Sequence, residues 1–204
     1  MTLRSLIVPV ILFLSTNALA EGVKINRAAP EVEHKKFDRK NPPSDMPPLV
    51  PGEAAVTKSM FGISSEAATQ VSEETRAGKT VTRIKITQVT LNLSLQLTVW
   101  VPSDAPRTIV EHEEGHRQIS ENFYKDAEKI AREIAQKYIG QTFDGESSEK
   151  AMNEMSQKYM AQTQSLSVRA NIIFDELTDH SRNQNISVER AVKQSIERAK
   201  KEKK

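Results

Sequence analysis

The chain has 204 residues, with 29 Lys and Arg against 27 Asp and Glu for a net charge of +2, and it has no cysteine. So balanced a charge argues against nucleic acid or an anionic membrane as partner. Without a thiol there is neither a disulfide framework nor a Cys-borne lipid anchor, so stability must come from packing, with a bound metal as the remaining staple.

The N-terminus reads as a signal peptide over residues 1–20. Arg4 supplies a positive start, Leu6 to Leu14 an apolar run broken only by Pro9, and Ala18-Leu19-Ala20 a small-x-small cleavage site. The run is too short for a membrane span. The expected product, cut after Ala20, is periplasmic or secreted. Residues 21–53 hold six of the nine prolines, mixed with charge and few large apolar residues. Such a composition buries little surface, so a flexible Pro-rich arm is expected there. His34 lies inside it and is not expected to be a ligand.

A single domain is expected over residues 54–204. Val56 to Ile63 reads as a short strand, Ser65 to Arg76 as a short helix, and Ala77-Gly78-Lys79 as a turn. Thr80 to Ile86 is β-branched and strand-like. Then Val89, Leu91, Leu93, Leu95, Leu97, Val99 and Val101 alternate with Thr90, Asn92, Ser94, Gln96 and Thr98. Strict period two predicts a strand with one face on a core. Ile84 and Ile86 have the opposite parity, so a bulge or tight turn is expected near Thr87-Gln88. Trp100 is read as local packing ahead of a substrate contact. From Pro106 the pattern is helical through Ile109, Ile119, Phe123, Ala127, Ile130, Ile134 and Tyr138, with Gly140 as the stop. A second helix carries Met152, Met155, Tyr159, Thr163, Leu166, Ala170, Ile173 and Leu177. A third follows Ser187 and ends in a basic tail. The order predicts an α+β fold, a small antiparallel sheet packed on long antiparallel helices.

His112-Glu113-Glu114-Gly115-His116 matches H-E-x-x-H, the zincin signature. Residues four apart on a helix share a face, so both imidazoles can reach one Zn2+. Glu113 lies about 100° round the helix, where it can act as general base without being a ligand. The two histidines continue the apolar stripe, and buried imidazoles without partners are costly, a cost that a shared metal removes. A third ligand must come from elsewhere. Antiparallel return of the second helix brings Phe174-Asp175-Glu176-Leu177-Thr178-Asp179-His180 beside the motif. His180 stands first as third ligand, then Asp175, then Asp179 or Glu176. The other reading of His180 is an ordinary helix C-terminal residue facing the dipole. Tyr124 and Arg117 are read as exposed helix residues ahead of oxyanion stabilisers.

Ile109 to His116, together with Phe174 to His180 and the strand ending at Trp100-Val101-Pro102, resembles a bacterial domain-of-unknown-function family of predicted secreted zinc-dependent proteases. That family pairs H-E-x-G-H with a later aromatic-Asp-x-x-Thr-x-His segment. The resemblance spans roughly Thr57 to Ser181. Phe174 stands where the family has Tyr, and Ser181 where it has Gly. It implies a zincin-like active-site helix and a peptidase. The expected function is a zinc-dependent metallopeptidase acting on a peptide or protein substrate, with Glu113 as base and Asp175 or Asp179 orienting an imidazole. The alternatives are a non-catalytic envelope protein with a structural or vestigial metal site, and a cell-wall amide hydrolase.

Overall fold

The computed structural model describes residues 22–50, 52–76, 78–144 and 147–201. The leader and its cleavage site lie outside the described residues, as does Ala77 of the expected turn. The elements are β1 (Gly22–Arg27), β2 (Glu31–Phe37), β3 (Val56–Arg76), β4 (Lys79–Pro102), α1 (Arg107–Lys125), α2 (Ala127–Ala135), β5 (Thr142–Asp144), α3 (Ser147–Thr178) and α4 (Val188–Lys201).

The fold is mixed α and β, built on one long hairpin. β3 and β4 pair antiparallel from Val56↔Trp100 to Arg76↔Lys79, with Gly78 in the turn at φ 76°. Because β3 occupies one edge of β4 throughout, the other edge is left for three short strands laid end to end. β5 covers Arg83–Lys85 antiparallel, β1 covers Gln88–Leu93 parallel, and β2 covers Gln96–Pro102 parallel. The expected antiparallel sheet is therefore a mixed one. The helices are also unequal, since α3 has 32 residues and α2 has 9.

Two local expectations are overturned by pairing. The Pro-rich arm contains β1 and β2. Composition measures what side chains can bury, whereas these strands gain order by filling the backbone groups of β4 and need few apolar anchors. Phe37 is buried, and Val23 and Ile25 pack on the core. Likewise Ser65 to Arg76 is not a helix. It is the far half of β3, drawn out by its partner, as tertiary pairing overrides weak local preference.

β4 shows why the sheet faces as it does. Val89, Leu91, Leu93, Leu95, Leu97 and Val99 are buried, while Asn92 and Gln96 are exposed. Each fully buried aliphatic side chain contributes roughly 1.5–3 kcal/mol, which holds the register against a one-residue slip. At the parity change Ala68 pairs with Gln88 and Thr69 with Ile86, so Thr87 is the extra residue of a bulge. Its hydroxyl donates to the Ala68 carbonyl at 3.1 Å. Trp100 is buried on the other face, under the Lys35 ammonium 4.5 Å from the ring centroid.

The inward face carries the helices. Ile119, Phe123, Met155, Tyr159, Ala170, Phe174, Ala191 and Ala199 join the β4 leucines in one cluster. The first helix breaks at Asp126, α2 ends at Ala135, and the turn that follows closes at Gly140 with φ 78°. α1 and α3 run antiparallel, as the contacts His112–Thr178, His116–Asn171 and Ser120–Ser167 show. No helix among the described residues is long and apolar enough to cross a membrane.

Candidate metal centre

α1 brings His112 and Glu113 to the inside, both buried, with His116 half-buried one turn on. α3 meets them from the opposite direction. Gly115 sets the depth of the contact. A Cβ there would sit 2.3 Å from Phe174 Cζ, so only glycine lets that ring lie against the helix. Phe174 then stacks on His112 at 4.9 Å between centroids and meets His116 edge-on at 5.0 Å. The H-E-x-G-H glycine and the later aromatic residue are thus one packing unit, which fixes both imidazoles against rotation.

Hydrogen bonds fix their tautomers. Thr178 Oγ1 donates to the Phe174 carbonyl at 2.7 Å, so toward His112 Nδ1, 3.3 Å away, it is the acceptor. Asn171 Nδ2 donates to the Ser167 carbonyl at 2.9 Å, which leaves Oδ1 to accept from His116 Nδ1 at 2.7 Å. With both Nδ1 atoms protonated, both Nε2 atoms of the neutral imidazoles carry lone pairs. These lone pairs converge. The two Nε2 atoms are 3.1 Å apart and lie 3.2 Å (His112) and 3.0 Å (His116) from Asp175 Oδ1. Despite that proximity Asp175 Oδ1 accepts no hydrogen bond, and His180 Nδ1, 3.7 Å from it, is also buried without a partner.

Such an arrangement of three lone-pair donors is repulsive unless a positive charge lies among them. Donors at roughly 2.0–2.1 Å from a tetrahedral zinc are about 3.3 Å from one another, close to the spacing here. Donor atoms of His112, Asp175 and His180 all lie within 4.8 Å of one another, and the His116 Nε2 contacts add a fourth side chain. The residues present therefore fit a divalent metal with nitrogen and oxygen ligands. A proton can meet the same need for positive charge. Burial favours neutral His116, but Asp175, then Glu113 and Asn171, outweigh it and hold its pKa above the ordinary value. Burial likewise opposes ionisation of Asp175, yet the two imidazoles hold it below the usual carboxylate range.

Glu113 sits beside this cluster. Burial pushes its carboxyl above the ordinary range, opposed in part by His116, Thr57 and His112. The Thr57 hydroxyl donates to Glu113 Oε2 at 2.8 Å, which aims the carboxylate. His112, Glu113, His116 and Asp175 line one cleft of about 480 Å³, walled by β3 and by one face of α3.

The structure brings together His112, Glu113, His116, Asp175 and His180, but not Asp179 or Glu176. Asp179 lies past the last helical residue, Thr178, and is exposed, accepting from Arg182 at 2.9 Å, while Glu176 is exposed on the outward side of α3. His180 is not on the helix, since α3 ends at Thr178. Asp179, His180 and Ser181 take φ values of 45°, 50° and 73°, and this left-handed run turns the ring back toward Asp175. Tyr124 is buried elsewhere, 2.9 Å from the Ala28 and Leu93 carbonyls, and Arg117 pairs with Glu114 and Glu121. His34, in β2, contacts Glu114 Oε1 at 2.5 Å.

Sequence reasoning missed Thr57, Asn171 and Glu53. Asn171 had a signal, since it lies four residues before Asp175 on the same helix face. Glu53, whose carboxylate is 4.0 Å from His180 Nδ1, had none. No protein-family model matches the chain, and comparison with curated proteins and with solved structures likewise finds no match.

Proposed function

We propose that this chain is an exported zinc-dependent metallopeptidase, built on a zincin-like helix and akin to the secreted protease family its motifs resemble. The observation that supports this most directly is the pair of imidazoles whose Nδ1 protons are spent on Thr178 and Asn171. Both Nε2 lone pairs are thereby turned on Asp175 Oδ1, with Glu113 in the same cleft.

His112, His116 and either His180 or Asp175 would hold the metal, while Thr178 and Asn171 orient the two rings. A zinc ion held there would supply an acidified water and a polarised carbonyl. Glu113, kept basic enough by burial and aimed by Thr57, accepts the proton of the attacking water and returns it to the leaving amine. Phe174 shields one side of the imidazoles from water. An extended substrate has a place to lie. Both edges of β4 are taken, but β3 has no described strand on its second edge and contributes Val56, Thr57 and Ser59 to the cleft.

Elemental analysis and hydrolysis assays test this together. The purified protein should carry one zinc, with hydrolysis of casein or a peptide library stopped by chelation and restored by zinc. Glu113→Gln should keep the zinc and lose at least about 100-fold in rate. Turnover of isolated peptidoglycan but not of casein would redirect the reading to a cell-wall amide. Full zinc with no turnover of either would overturn it in favour of a structural metal.

A further inference from the structure

Large apolar side chains on a surface mean little singly but mark a binding site when grouped at a concavity. Three of them meet at one place. Val50 is 58 % exposed, Val168 58 % and Ile172 54 %, and all three line the cleft that holds His112, Glu113 and His116. They come from separate parts of the chain, Val50 from the segment before β3 and the other two from consecutive turns of α3. On α3 the stripe Ser167–Asn171 faces the imidazoles, and the stripe one residue on, Val168–Ile172, forms the rim. Phe61, buried, continues the apolar wall inward. The charged residues in the lining, Glu53, Glu113 and Asp175, are acidic, and among the described residues no Lys or Arg joins them.

We infer that this rim is a specificity subsite for a large aliphatic or aromatic side chain of the substrate, adjacent to the bond that is cut. The inference rests on the peptidase reading of the cleft. An apolar side chain gains by covering Val50, Val168 and Ile172, whereas an acidic one meets the carboxylates of Glu53, Glu113 and Asp175 with no Lys or Arg in the lining to pair with. The occupant is therefore an extended peptide segment that is apolar at this position and not acidic beside it.

Matched peptides carrying Leu, Phe, Ser or Asp next to the cleavable bond test it on the full-length, zinc-loaded protein. Wild type should favour Leu and Phe over Ser by at least about tenfold in kcat/KM, with Asp last. In the double variant Val168→Ser, Ile172→Ser the Leu:Ser ratio should fall to about one, with zinc content and melting temperature held. Both side chains are exposed, so folding is not at stake. Fluorescence anisotropy with Glu113→Gln protein should show the same Leu over Ser ranking in binding. An undiminished ratio in the double variant, or no ranking in either assay, overturns the subsite. Leu-selective binding without any hydrolysis by wild type overturns the peptidase reading instead and leaves the subsite standing.

Discussion

His112 and His116 owe their positions to the repeat of a regular helix, whereas His180 owes its position to three residues in a conformation that L-amino acids avoid. Left-handed geometry costs roughly 1–2 kcal/mol per residue, and here it recurs at Asp179, His180 and Ser181. The turn is held by bonds to the open end of α3. The Asn183 amide donates to the Thr178 carbonyl at 2.9 Å, Asn183 Nδ2 to the Leu177 carbonyl at 2.8 Å, and the His180 amide to the Asp175 carbonyl at 3.3 Å. One half of the centre is therefore inexpensive and rigid, and the other is strained and closed by a few hydrogen bonds. Strain of this kind is found where a side chain must be presented rather than merely packed.

Three substitutions probe that contrast. Gly115→Ala attacks the rigid half by forcing a methyl into the Phe174 ring, and should cost about 1–3 kcal/mol in chemical denaturation. Trimming Phe174 to Leu in the same chain should recover part of it. If Gly115→Ala alone is neutral, the ring does not lie where it is described. Thr178→Val leaves the fold but removes the acceptor of the His112 Nδ1 proton. Metal affinity measured by chelator competition should drop by roughly 10–100-fold, and an unchanged affinity would mean that Thr178 does not set the tautomer. Ser181→Gly relieves the strained half. It should raise stability by about 0.5–1 kcal/mol after the entropy of the added glycine is counted, read as a higher midpoint in urea. A lower midpoint would show that Ser181 holds the turn through its side chain.

What could be read from the chain follows the same division. The β4 alternation, the bulge at Thr87, the buried face of H-E-x-x-H and the approach of Asp175 all depend on neighbours within a few turns or on one antiparallel return. Those are the distances over which a pattern repeats. The left-handed presentation of His180, the strand character of Ser65 to Arg76 and the arrival of Glu53 depend on contacts far apart in sequence, and no local period encodes them. Phe174 lies between the two cases. It was visible as part of a motif, but its reason, the room left by Gly115, appears only when the helices are set side by side.

The strands at the very start of the described chain change where the protein can be cut. β1 and β2 close the edge of β4 from Gln88 to Pro102, and an edge stripped of its partners is a template for other chains. Trimming to residue 54, the boundary that composition suggests, would bare that edge on a strand whose inner face is all leucine and valine. Light scattering should then report self-association that the longer chain resists. The proline-rich stretch between β2 and β3, far from being a tether, is the strap by which a sealed sheet edge delivers Val50 and Glu53 to the mouth of the cleft.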